Sequence, residues 1–340
     1  MRLVLILLRY YPQIVMKISA PLFFTCGALF AVSLFPATGL GAANAKDKPV
    51  IYSIVHGTLS DPFWAVYRKG LQDAASAYDV ELRALGTEVH SVQGEVDLFN
   101  SALAAKPAGI ITTIPDAAAF QEPLDRAKAA GIPVIAVNVT DTRPKTERVP
   151  YLFYIGGDEY LGGQEAAQKV LSVKKPVEAA CWIHEPGHTG LEARAKGWTD
   201  EMQKAGVKSD TLTFRANNPT EAAAALKGFL TSHPNVDALF AVGPPPASVA
   251  LEVLNELGKT EKVTLISFDL TSEQVDAIQS GSLLGTIEQQ QYLQGYLGIE
   301  FMKMYLDHGF IPGASVLTGP NLVDKANVGT VKAQVAAGFR

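Results

Sequence analysis

Residues 108–137 read AGIITTIPDAAAFQEPLDRAKAAGIPVIAV, and the fold turns on this stretch. Ala108 to Thr113 is a short apolar run, which reads as a buried strand. Ala117 to Ala130 places its apolar residues at helical spacing and is closed by Gly131. Pro133 to Val137 is a second apolar run. Strand, helix and strand in this order form a βαβ unit, whose strands lie parallel under a covering helix.

The same alternation extends in both directions. Upstream, Pro49–Val55 and Val80–Leu85 read as strands, with Pro62–Tyr78 and Val92–Ala105 as helices. Downstream, a polar loop from Thr140 to Val149 precedes strand Tyr151–Ile155 and helix Asp158–Leu171. Strands Val177–Ile183, Thr211–Phe214, Asp237–Val242 and Val263–Phe268 then alternate with helices Leu191–Ala205, Thr220–Ser232, Ala247–Leu257 and Ser272–Gln279. These are too many strands for one compact sheet. The expectation is an α/β protein with two doubly wound parallel-sheet lobes, parting near the polar loop at residues 140 to 150. Ligands of such sheets bind beyond the carboxyl ends of the strands, so the residues just after each strand are the candidates.

The chain has 340 residues, 48% apolar and 19% charged, with 29 Gly, 20 Pro and two Cys. This composition excludes a disordered polymer, a disulfide-framed miniprotein and a collagen-like repeat. Residues 1 to 45 contain no acidic group and only Arg2, Arg9 and Lys17 as basic ones. The apolar run Ala20–Leu40 ends at Ala43-Asn44-Ala45 and reads as a secretory signal cleaved after Ala45, with a membrane anchor as the alternative. Met16-Lys17 would open a signal of ordinary length, which makes Met16 the candidate true start. Cys26 lies in a poor lipoprotein context, so no lipid anchor is expected. Removal of this segment moves the formal net charge from −5 to −8, which argues against a nucleic-acid partner. Cys181 then remains alone, within a strand-like apolar run where a thiol acts as a small hydrophobe.

The strand ends carry an ordered set of segments. Asp61-Pro62-Phe63-Trp64 follows the first strand, Ile114-Pro115-Asp116 the third and Asn138 the fourth. Gly156 to Gly163, Gly187 to Arg194, Gly243-Pro244-Pro245-Pro246, Ser267-Phe268-Asp269 and Gly285 to Gln290 continue the series. In order and spacing these segments resemble type I periplasmic solute-binding proteins of the ribose and galactose class, over about residues 48 to 335. The resemblance implies two lobes joined by a three-strand hinge, with crossings near Ile155–Gly157, Glu288–Gln290 and Thr318–Pro320. It implies a first lobe from 46–156 plus 290–318 and a second from 157–289 plus 319–340. The ligand would lie between them and be enclosed as they close.

Carried over by position, the resemblance implies that Phe63 and Trp64 sandwich a sugar ring. It implies that Asp269 accepts hydrogen bonds from neighbouring hydroxyls and that Gln289, with Gln290 as its alternative, both donates and accepts. The chain also departs from the ribose-type pattern. Asp61 stands in place of Asn, Ile114 in place of a cleft Asn, and Asn138-Val139 in place of an Asp-Arg pair. Glu192 stands in place of Arg, and Gly243 in place of Asn. Arg194 lies two residues past the expected Arg, which on a helix turns it by roughly 200°. The expected ligand is therefore a polyol, a cyclitol or a modified sugar, with a less polar metabolite as the alternative, and Asp61 or Glu192 could pair with Arg194 or meet a cationic group on the ligand. Asp116, Glu185, His188, Arg194 and Gly243 complete the candidate set with His184.

His184-Glu185-Pro186-Gly187-His188 has the letters of the zinc-protease signature HExxH. That chemistry requires both imidazoles on one helical face, and Pro186 and Gly187 oppose a helix there. The stretch reads instead as a strand-to-helix loop facing the cleft, with no metal. No GxGxxG after a strand, no GxxxxGK[ST] and no GxSxG occurs, and Asn138-Val139-Thr140 is read as a chance sequon. The expectation is a monomeric, non-enzymatic periplasmic protein without a cofactor, which delivers a polyhydroxy ligand to the membrane permease of an ABC importer. The alternatives are a ligand sensor of the same fold for a membrane kinase or chemoreceptor, and a secreted metallohydrolase using His184 and His188.

Overall fold

The computed structural model describes residues 48–59, 61–214 and 218–340. The expected signal at residues 1 to 45 lies outside them. The strands in chain order are β1 (Val50–Val55), β2 (Glu81–Gly86), β3 (Gly109–Thr112), β4 (Val134–Asn138), β5 (Tyr154–Gly157), β6 (Glu178–Ile183), β7 (Lys208–Thr213), β8 (Val236–Ala241), β9 (Thr264–Phe268), β10 (Gly285–Glu288), β11 (Val316–Gly319) and β12 (Asn321–Asp324). The helices are α1 (Pro62–Ala77), α2 (Val92–Ala104), α3 (Ala117–Ala129), α4 (Glu159–Val173), α5 (Thr189–Lys204), α6 (Pro219–Ser232), α7 (Pro244–Glu256), α8 (Ser272–Ser280), α9 (Gln291–His308) and α10 (Val328–Ala336). None of these helices is long and apolar enough to cross a membrane.

The strands form two six-stranded sheets with the same plan, β2-β1-β3-β4-β5-β11 and β7-β6-β8-β9-β10-β12. All pairings are parallel except β10 with β12. The decisive stretch folds as its pattern predicts. All four residues of β3 are buried, as a strand covered on both faces requires, and Asp116 starts α3 by accepting from the N–H groups of Ala118 and Ala119.

One boundary differs from expectation. The polar loop after β4 does not separate the sheets, because β5 returns beside β4 with Ala136 opposite Tyr154. Asp141 ties that loop together, accepting from the Arg143 guanidinium and from the Val149 N–H at 3.0 Å. The chain leaves the first sheet after β5, returns to it at β11 after β10, and leaves again for β12. Helix α9 and the last two strands carry no strong periodic signal. The hydrophobic periodicity stops being informative near Gln279.

Each sheet has one especially close helix pair on its face. In one, α4 crosses α5 at Gly163 and Gly197; a Cβ on Gly163 would run into the Arg194 carbonyl oxygen, and one on Gly197 into that of Tyr160. The other sheet has the same device where α1 crosses α9. We expect Gly163→Ala to cost at least about 2 kcal/mol, because backbone cannot yield as a side chain can. Gly228 in α6 has open space where its Cβ would be, so Gly228→Ala should stabilise by about 0.5–1 kcal/mol. Denaturant titration of the two variants checks this, and equal effects of the same sign would refute the packing account.

Candidate functional site

In both sheets the strand order reverses direction of travel beside the first strand, at β1/β3 and at β6/β8. Crevices at such switch points collect the loops that follow the strands. Here the two crevices face each other across a cavity of about 80 Å³. Its walls include His56, Asp61, Phe63, Trp64 and Asn138 from the strand ends and following segments of the first sheet and His184, Glu185, His188, Arg194, Gly243 and Asp269 from those of the second, with Gln289 between. A larger depression of about 890 Å³ lies at the opposite ends of β4 and β5. It has no convergent set of buried polar groups, and the smaller cavity between the two sheets is the candidate site.

A connected polar chain runs through this cavity. Asn138 Nδ2 donates to Gln289 Oε1 at 3.1 Å, and Gln289 Nε2 donates to Asp269 Oδ1 at 2.9 Å. Asp269 Oδ2 lies 3.8 Å from Arg194 Nη1, which also donates to the Val242 carbonyl at 2.7 Å. Arg194 Nε donates to Glu159, and the guanidinium lies 3.6 Å from the centre of the Phe268 ring. Asn138 and Asp269 end β4 and β9 in the left-handed backbone region, with φ of 62° and 65°. Asn and Asp tolerate that region better than other residues bearing a Cβ, which turns their side chains off the sheet edge into the cavity. Tyr154 Oη holds the Asn138 carbonyl at 2.6 Å.

Burial dominates the electrostatics. It pushes the Asp269 carboxyl up to about 7, against the opposing pull of Arg194 and the hydrogen bond from Gln289. Burial alone would lower Arg194, but Glu159 and Asp269 outweigh it and hold the guanidinium above its ordinary range. Asp61 is raised by burial, partly offset by the backbone N–H groups of Phe63 and Trp64. His184 is pushed down to about 3 by burial and nearby positive charge, and its Nδ1 has no hydrogen-bond partner.

Several candidates lie elsewhere. Glu192 is exposed on α5 while Arg194 is buried in the cavity, so the basic residue is the one that faces inward. Ile114 is fully buried in a hydrophobic cluster with Phe99 and Phe120. Asp116 spends its carboxylate on capping α3, and Gln290 starts α9 outside the cavity lining. Phe63 and Trp64 do line the cavity, but their planes stand at 84°, so the two do not form a parallel sandwich. The residues 184–187 precede α5 in a turn and His188 is its N-cap, so the two histidines do not share a helical face. Sequence reasoning passed over His56, which the strand-end rule selects directly, and Glu159, whose role depends on Arg194 turning inward.

Comparison with known proteins agrees with this geometry. Residues 51–309 match the family described as periplasmic binding protein domain. The xylose/arabinose-binding protein XylF of Sulfolobus acidocaldarius is 28% identical over 307 residues, covering 86% of this chain and 76% of that protein. The ribose import binding protein RbsB of Escherichia coli is 28% identical over 276 residues, covering 79% and 88%. A carbohydrate transporter from Acidothermus cellulolyticus, solved in complex with myo-inositol, superposes with a TM-score of 0.80 at 29% identity, covering 86% of this chain and all of that one. With two sheets of one plan, a polar cavity between their facing switch points and a family match over most of its length, this chain belongs to the periplasmic binding protein family.

Proposed function

We propose that this chain is an exported, monomeric, non-catalytic receptor that captures a small polyhydroxy ligand, a cyclitol or related polyol, and delivers it to the permease of an ABC importer. The lobes of this reading are 46–156 plus 290–318 and 157–289 plus 319–340, a division supported by the sheet membership of β5, β10, β11 and β12. Export rests on the signal read at residues 1 to 45.

The observation that carries the reading is the buried chain Asn138–Gln289–Asp269–Arg194, which draws on both sheets. It alternates donors and acceptors, and a ring bearing vicinal hydroxyls needs such alternation because each hydroxyl does both. The cavity holds one guanidinium against the carboxylates of Glu159 and Asp269, so no surplus positive charge awaits a sugar acid or a sugar phosphate. The bound myo-inositol of the Acidothermus structure supports the cyclitol class. The Asn138-Val139 position, where the ribose-type pattern has an Asp-Arg pair, argues against a pentose fit, although Arg194 restores a basic group to the cavity.

In a thermal-shift series with myo-inositol, xylose, ribose and glucuronate, we expect myo-inositol to stabilise the protein. A ligand at a hundred times its Kd adds about 2.7 kcal/mol. Asp269→Ala should fold and lose this stabilisation; retention of it would remove Asp269 from the binding site. The affinity should also depend on pH. Ligand hydroxyls donate to the ionised carboxylate, so binding lowers an Asp269 pKa that burial has raised to about 7. For the closed cleft, affinity is then full above pH 7 and falls by up to about tenfold per unit below it. Calorimetric titrations at pH 8 and pH 6 check the sign, and tighter binding in acid would contradict it.

A further inference from the structure

Four of the six histidines, His56, His90, His184 and His188, gather around the cleft. His56 follows β1 and His90 follows β2, whereas His188 caps α5 beyond β6, so contacts among these rings join the two sheets' loops. The His56 and His188 ring centres are 4.9 Å apart, and their Nε2 atoms are 3.3 Å apart.

The surrounding bonds assign the protons. We take Thr113 Oγ1 to donate its one hydrogen to Glu95 Oε1, which makes His56 Nδ1 the donor in their 2.8 Å contact; burial raises Glu95 well above the ordinary carboxylate range against the hydrogen bonds from Thr113 and Thr112, so this assignment requires Glu95 to accept at Oε1 in its neutral form as well. His56 Nε2 is then a bare acceptor. His188 Nδ1 accepts from the backbone N–H groups of Gly190 and Leu191 at 3.1 and 3.3 Å, which places the His188 proton on Nε2. We propose that His188 Nε2–H donates to His56 Nε2 and that this bond is a proton-sensitive latch between the lobes. It regulates closure and rests on the reading of the chain as a two-lobed closing receptor.

A cation between His56, Glu185 and His188 is the competing use of this geometry, since one atom from each lies within 4.8 Å of the others. His188 opposes it. With Nδ1 accepting from backbone, a metal on Nε2 would demand an imidazolate.

Protonating His56 removes the acceptor lone pair, and protonating both rings sets two like charges side by side. Burial holds both rings well below the ordinary histidine range when the cleft is closed. The charges of His90 and Arg194 add to this for both rings, as do His188 for His56 and His184 for His188. Opening returns the rings to water, where their ordinary basicity resumes. Closure must therefore expel protons in mild acid. The other groups facing the pair are Glu185, 3.4 Å from His90, Glu95 behind Thr113, and Asp61 and Asp269 across the cavity. Asp61 and Asp269 are raised by burial and so take up protons on closure, opposite in sign to the histidines.

The test uses the full mature chain carrying a dye pair on Ser101→Cys and Thr231→Cys, exposed on helices of the two lobes, and reads closure by single-molecule energy transfer without ligand. The comparison is His56→Gln/His188→Asn, which keeps a side-chain acceptor at the α5 N-cap and a neutral amide facing Thr113. From pH 8 to pH 5.5 the wild-type closed-to-open ratio should fall by about tenfold or more relative to the double variant. The same pH response in both proteins overturns the latch. Zinc chloride that closes the wild type but not the variant also overturns it, in favour of a metal bridge. Adding myo-inositol tests the ligand separately: failure to increase closure rejects the cyclitol and leaves the ligand-free pH response to decide the latch.

Discussion

The rest of the cleft depends on the burial of one guanidinium. Removing a charge of that size from water costs several kcal/mol even after relaxation, and the cost is met only where partners are already in place. Arg194 has them all. Glu159 from the start of α4, the Val242 carbonyl after β8, the Phe268 ring and Asp269 after β9 converge on it from separate elements. Asp269 in turn orients Gln289, and Gln289 reaches Asn138 at the end of β4. A charge that must be neutralised thus fixes the positions of the polar groups that line the cavity.

That arrangement is possible because two sheets of one strand order present their switch points to each other. Glycine crossings of α4 with α5 and of α1 with α9 bring the two helices of each pair into close backbone contact. The strand ends of the two sheets stand near enough for side chains from both to share one small cavity. The left-handed residues Asn138 and Asp269 occupy corresponding strand ends in the two sheets. Backbone strain of this kind persists where surrounding contacts hold it, and here Tyr154 holds Asn138 while the Asp269 N–H bonds to the Ile287 carbonyl at 2.7 Å.

The fold was legible in the sequence where periodicity was strong, from β1 to α8. It was not legible at α9, whose apolar residues do not form a clear stripe, or at the short strands β11 and β12. The site was legible in part. Asp61, Phe63, Trp64, Asn138, His184, Asp269 and Gln289 lie where the strand-end rule and the family pattern put them. Glu192 and Arg194 show the limit of that reasoning. Two residues on one helix differ by more than half a turn, so a small change in where α5 begins exchanges the inward and outward residue.

By itself the sequence determined the α/β class, the alternation of elements and the ends of strands from which function would come. These are local properties, set by hydrophobic spacing and by residues such as Asp116 and Gly131 that start or stop a helix. Tertiary structure alone decided which strand ends meet. Glu159 and Arg194, His56 and His188, and Asn138 and Gln289 are 35, 132 and 151 residues apart in the chain. Their contacts, and the proton placement that follows from them, depend on the packing of whole sheets rather than on any local pattern.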